Sequence, residues 1–276
     1  MKNRLSGIKN LIWALGIFVS LLALLVGLGF SVFTKYYGNR MDGTLVLGEG
    51  VYISNSGIDN AGAQGGGTAS LKELPATQDN GIESVFNFTF LCDSTIIGIN
   101  DYSTGYGGNA TAQLWTDDGS GLCAATAATT PIIYPGDGSE ITPANAAMVA
   151  QPKRLVIYIG ADDLASVSED VFKAGYMQLI KSISSASPET KIICCSVASV
   201  SESYPSSDGL TAGLISQANG WIKDICVQSG SYYADLASVF NDSNGFLNAD
   251  YASPDGRSLN SAGIAKLVEY FRFHGI

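Results

Sequence analysis

The chain has 276 residues, 15 Lys and Arg against 25 Asp and Glu, one histidine and five cysteines, for a formal net charge of −10. So acidic a chain argues against a nucleic-acid partner, because phosphate recognition requires a basic face. One histidine and scattered cysteines supply no tetrahedral zinc set, so no metal or other cofactor is expected.

In chain order, residues 1–10 read as a cytoplasmic tail carrying Lys2, Arg4 and Lys9, and residues 11–33 as a transmembrane anchor. Leu11 to Phe33 carries no charge and is long enough, as a helix, to cross a ~30 Å hydrocarbon core. The excess of cations before it predicts a cytoplasmic N-terminus, an outward-facing C-terminal domain and a single-pass location in the cell membrane. A cleaved signal peptide is the competing reading, but Gly29 to Phe33 offers no small-x-small cleavage pattern. Residues 34–83, rich in Gly, Ser, Ala and Asn around Gly65-Gly66-Gly67, read as a spacer with room for a short strand or two.

From residue 84 to 276, short apolar runs alternate with segments of helical period, the pattern of an α/β domain with a parallel sheet covered on both faces. The runs predicted as strands are Val85 to Leu91, Ser120 to Ala124, Arg154 to Ile159, Lys191 to Val197 and Tyr232 to Leu236. Helices are predicted over Ser168 to Ser185, with Ser168 as N-cap, over Thr211 to Gln228, and after the N-cap Asn260. Cys194 and Cys195 are adjacent in a strand and so face opposite ways, and the cysteine count is odd; buried thiols are expected, with a Cys92–Cys123 disulfide left open.

Functional groups in open α/β sheets gather at the carboxyl ends of strands. Cys92-Asp93-Ser94 ends the first run, Ala125-Thr126-Ala127 follows the second, Gly160-Ala161-Asp162-Asp163 ends the third, and Asp255-Gly256-Arg257-Ser258 leads into the last helix. In order and spacing these segments resemble the four blocks of the SGNH (GDSL) hydrolases, a superfamily of esterases, lipases and polysaccharide O-acetyl esterases or transferases. The resemblance covers about Ser84 to Ile276 and implies a three-layer α/β/α sandwich with a flavodoxin-like parallel sheet. It also implies Ser94 as nucleophile, Asp255 as orienter of the base, and the 127, 162 and 258 positions as sites of the family's Gly, Asn and His.

The departures bear on function more than the matches. Ser258 stands at the base position, and a hydroxyl cannot take a proton near neutral pH as imidazole does. His274 lies 16 residues on, roughly 24 Å along a continuous helix, and cannot simply stand in. Asp162 replaces the oxyanion-binding Asn with an acceptor; losing one such donor costs about 2.7–4 kcal/mol of transition-state stabilisation. Ala127 replaces a Gly, and Cys92 another at the tight first turn. The blander readings are that Ser94 caps a helix, that Asp162 and Asp163 cap the next helix or share a proton, and that Asp255-Gly256 and Asp242 to Gly245 are turns. Tyr102, Tyr106, Trp115 and Tyr134 are either sugar-stacking residues or loop anchors.

The expected protein is therefore a membrane-anchored, outward-facing SGNH-like domain, catalytically impaired, with a binding or scaffolding role at the cell envelope toward a glycan or a protein partner. Two alternatives stay open. One is an active serine esterase or O-acetyltransferase acting on envelope polysaccharide, with Asp162 as the base and, by resemblance, a membrane acyltransferase as partner. The other is a purely structural surface protein.

Overall fold

The computed structural model describes residues 70–101, 114–117, 119 and 121–276. The expected anchor at 11–33, the tail before it and the spacer up to residue 69 lie outside the described residues. Among the described residues no helix is long and apolar enough to cross a membrane.

Among the described residues, six strands form one parallel sheet in the order β1-β8-β7-β6-β2-β3: β1 (Lys72–Glu73), β2 (Phe88–Cys92), β3 (Leu114–Trp115), β6 (Arg154–Tyr158), β7 (Lys191–Cys195) and β8 (Tyr232–Ala234). Between β3 and β6 a separate antiparallel pair forms, β4 (Ile132–Ile133) with β5 (Glu140–Ile141). The central strands are the sequence's aromatic and β-branched runs, which suit a pleated buried surface. Neighbouring side chains on a strand point to opposite faces. Leu155, Val156, Ile157 and Tyr158 are all at most 1% exposed, so both faces of β6 are covered.

The cover is helical. On the chain lie α1 (Ile82–Val85), α2 (Pro143–Ala150), α3 (Glu169–Ala186), α4 (Ala212–Ser229), α5 (Ala237–Phe240) and α6 (Ser261–Phe273). Helices α2, α3 and α4 pack side by side in that order, while α1 packs on α6. Phe271 of α6 meets the rings of Phe88 and Phe90 at 5.2 and 5.4 Å. The three long helices begin at side-chain caps, two of them predicted as such, Ser168 and Asn260: Ser168 accepts from Val171 N, Thr211 from Leu214 N, and Asn260 from both Ala262 N and Gly263 N.

Several sequence expectations change. Over its described residues, 121–124, the expected strand Ser120 to Ala124 does not form: Gly121 has φ +95°, and from Cys123 the chain winds into turns, with Ala127 N donating to Cys123 O at 2.8 Å. Leu122 and Ala124 are fully buried, so their apolarity serves a packed turn, while the strand at this edge is Leu114–Trp115. Edge strand β1 is a short strand within the spacer, which the sequence left room for, whereas α2, capped by Thr142, was not foreseen. The first strand starts at Phe88 because Ile82–Val85 forms a helical turn. All five cysteines are free, which closes the Cys92–Cys123 option.

Candidate active site

Strand β2 delivers its end residues to the carboxyl rim, where Asp93 N donates to Tyr158 O of β6 at 2.9 Å. Asp93 is fully buried and ties the rim together. One of its oxygens accepts from Thr95 N and Oγ1 at 3.0 and 2.6 Å, and the other from Gly160 N and Ala161 N at 3.1 and 3.0 Å. Burial, with the negative charge of Asp162 added, lifts its carboxyl to about 6 despite these hydrogen bonds. The adjacent Cys92 is equally buried, which pushes its thiol well above the ordinary range and leaves no thiolate nucleophile there.

Ser94, next along, is half-buried and faces Asp162. Its Oγ donates to Asp162 Oδ1 at 2.7 Å, and its own N–H donates to Asp162 Oδ2 at 2.9 Å. Arg257 completes the group. Its Nη2 forms an ion pair with the same Asp162 Oδ1 and lies 3.3 Å from Ser94 Oγ. The Asp162 side chain is 7% exposed and that of Arg257 25%, so the pair is largely withdrawn from solvent. Gly121 makes room for it: a Cβ there would lie 2.0 Å from Asp162 Oδ2.

The loop from Ser253 to Leu259 closes the rim, with Leu259 N donating to Thr95 O at 2.9 Å. Within it Asp255 is engaged by its neighbours, accepting from Arg257 N (3.0 Å), Ser258 N (2.9 Å) and Ser258 Oγ (2.5 Å). Burial works to raise the Asp255 carboxyl, but these hydrogen bonds outweigh it and hold it below its usual range. Asp255 and Ser258 thus keep an orienter-and-partner geometry in which the partner is a hydroxyl that donates.

Other expectations divide. Ala127 is not an oxyanion donor, because its side chain is fully buried and its N–H is spent on Cys123 O. Gly121 is the glycine placed against the Ser94 group, missed because the strand before it was set too late; its N–H is itself taken by Asp117 Oδ1 at 3.1 Å. Asp163 turns away from Asp162 and accepts from Ala125 N at 3.0 Å, its other oxygen buried without a hydrogen-bond partner; burial raises this carboxyl. His274 stacks on Tyr270 at 3.9 Å and borders a cavity with Phe88 and Arg154, the first residues of β2 and β6. It therefore sits at the amino ends of strands whose carboxyl ends carry Ser94, about 16 Å away along a five-residue strand. Trp115 is 1% exposed and belongs to the core, Tyr134 packs against Gly136, and Tyr102 and Tyr106 lie outside the described residues. Asp242 forms a turn, accepting from Asn244 N and Phe246 N.

Chemically, the serine has a carboxylate where a base would be and a guanidinium where an oxyanion could be met. Both are already engaged with each other. The backbone N–H nearest any oxyanion formed on Ser94, its own, is also held by Asp162.

The profile of the GDSL-like lipase/acylhydrolase family matches residues 93–266. No curated protein matches. Among solved structures, a Bacteroides fragilis protein described as an acylhydrolase is 15% identical, with 72% of this chain and 89% of that one covered at a TM-score of 0.48. A Talaromyces cellulolyticus carbohydrate esterase of family 3 is 14% identical, covering 67% and 93% at 0.43. A Streptococcus pneumonia protein described as a platelet activating factor is 14% identical, covering 67% and 82% at 0.47.

Proposed function

Because the chain belongs to the GDSL-like lipase/acylhydrolase family, we propose that it is a hydrolase-fold domain impaired in ester cleavage that serves in binding or scaffolding at the cell envelope. The observation that carries this reading is the closed group of Ser94, Asp162 and Arg257. A serine nucleophile must lose its proton to a base as it attacks, and the tetrahedral oxyanion must find donors. Among the described residues, the acceptor hydrogen-bonded to Ser94 Oγ is Asp162, which is paired with Arg257, and the Ser94 N–H points at that same carboxylate. The ligand class in this reading is a glycan or a protein partner.

The anchor is part of the same proposal. Residues 11–33 hold the domain on the outer side of the membrane, supported by their length and lack of charge. N-terminal sequencing of protein from membranes is expected to find residues 11–33 retained, and a mature end near Thr34 would replace the anchor with a signal peptide.

One observation favours a second reading. The 2.7 Å hydrogen bond from Ser94 Oγ to Asp162 is also the geometry in which a carboxylate takes the hydroxyl proton. In that case Ser94 Oγ attacks an acyl carbon, its proton goes to Asp162, and Arg257 meets the oxyanion; the intermediate then expels the ester's alcohol, which takes the proton back from Asp162, and water or a sugar hydroxyl cleaves the acyl-serine, giving an esterase or O-acetyltransferase for envelope polysaccharide with a membrane acyltransferase as partner.

The experiment that separates them uses purified full-length protein with a fluorophosphonate probe and p-nitrophenyl acetate. The impaired reading expects no labelling of Ser94 and turnover near the buffer rate, unchanged in Ser94→Ala. Turnover at enzymatic rates, abolished by both Ser94→Ala and Asp162→Asn, would establish the second.

A further inference from the structure

The strands of the large sheet all run parallel, so their starts, and the helix ends that lead into them, share the end of the domain opposite the Ser94 rim. The links from α2 into β6 and from α3 into β7 are tied together there. Gln151 Nε2 donates to Ala186 O at 3.3 Å, Ser187 Oγ to Gln151 Oε1 at 3.0 Å, and Lys191 N to Lys153 O at 3.0 Å.

This end exposes lysines. Lys72 opens β1, Lys153 precedes β6, Lys191 opens β7 and Lys181 lies near the end of α3, all of them exposed. Two arginines here are engaged, Arg272 with Asp79 and Arg154 Nε with Ile276 O. The remaining carboxylates are Glu73, Glu83 and Glu189, which leaves the balance weakly positive. The opposite rim is strongly acidic, setting Asp93, Asp117, Asp162, Asp163 and Asp255 against Arg257. An anionic surface therefore repels the rim and attracts the strand starts.

Apolar side chains are exposed beside the lysines. Met148 and Val149, in the last turn of α2 before Lys153, are 57% and 61% exposed, and Phe273 at the end of α6 is 37% exposed. Large side chains left in water next to cations mark a surface that meets a partner or a membrane. The chain also enters the domain here, because β1 begins at Lys72 and runs parallel to β8. Residues 34–69, which lead from the anchor proposed at 11–33, thus join at this end.

We propose that this end docks on anionic lipid headgroups, with Lys153 and Lys191 at the phosphates, Met148 and Val149 at the acyl boundary, and the Ser94 rim facing away from the membrane. The orientation rests on the anchored reading above, which by itself assigns no face to the lipid.

The test uses full-length protein reconstituted in phosphatidylcholine vesicles with and without phosphatidylglycerol, its lysines tagged by reductive methylation and mapped by mass spectrometry. In the anionic vesicles Lys153 and Lys191 should react at least about threefold more slowly, within the roughly fivefold that one cation's attraction to an anionic surface supplies. Lys223 of α4 and Lys266 of α6, away from the helix ends, should react alike in both. High salt should abolish the difference by screening the lipid charge. Met148→Glu with Val149→Glu should abolish it too, at an unchanged melting temperature, since both side chains are already exposed. Equal rates for Lys153 and Lys191 in the two vesicles, slowing that persists in the double variant, or slowing that follows protein density in neutral vesicles, the mark of a second copy on this face, would overturn the proposal. A carbonate wash after labelling tests the anchor separately: protein that washes off refutes the anchor, while the lysine rates still decide the docking.

Discussion

At the scale of single residues, the Ser94 group is held by charge as much as by shape. Removing Arg257 would leave Asp162, 7% exposed, with hydroxyl and amide donors but no cation. Breaking buried pairs in this way costs about 3–5 kcal/mol, and the partial exposure of Arg257 places Arg257→Ala at about 2–3 kcal/mol, measured by chemical unfolding. Gly121→Ala should be comparable, at about 2 kcal/mol, since its Cβ would collide with Asp162 and its φ of +95° disfavours a side chain. Asp93 makes a pH prediction. Its carboxyl titrates at about 6 when folded and near 3.9 when unfolded, so the folded state prefers the protonated form. That contribution is fully present below about pH 4 and is lost as the pH rises through about 6. Relative to Asp93→Asn, the wild type should therefore lose on the order of 3 kcal/mol between about pH 4 and about pH 7, with unfolding midpoints as the readout.

At the scale of elements, helix starts were readable and loop packing was not. Ser168 and Asn260 cap as expected because capping needs only a side chain and amides two or three residues on, and Thr211 caps the helix expected to start near it. The turn after Gly121 depends instead on α3, more than 40 residues away. A Cβ on Gly175 of α3 would stand 2.5 Å from both Ala124 O and Ala125 O. Gly175→Ala gains about 1 kcal/mol in helix propensity but forces this backbone contact apart, at a cost of about 1–3 kcal/mol. Net destabilisation is expected. The displaced Ala125 amide should also release Asp163, whose hydrogen bond to it is 3.0 Å. A melting temperature above wild type would show that the turn yields without cost.

At the scale of the whole molecule, the sheet holds the ends of β2 and β6 together with the loop before α6, and that convergence can be tested by repair. Ser258→His with Asp162→Asn places an imidazole beside Asp255 and an amide donor beside Ser94. Ser94-dependent hydrolysis of p-nitrophenyl acetate should then rise above the unmodified protein; a folded double variant with no gain would show that the rim no longer has triad geometry. The parallel sheet, the long helices and the identity of Ser94, Asp162 and Asp255 as rim residues were legible in the chain alone, because buried strands require contiguous apolar runs and strand-end loops carry the exposed polar residues. Arg257 beside Asp162, Gly121 in place of Ala127, and the exposed apolar side chains beside the lysines at the strand starts were decided only by the tertiary structure. The Arg257–Asp162 pair joins residues 95 positions apart, and a contact of that separation is set by how the strands stack, which no local pattern encodes.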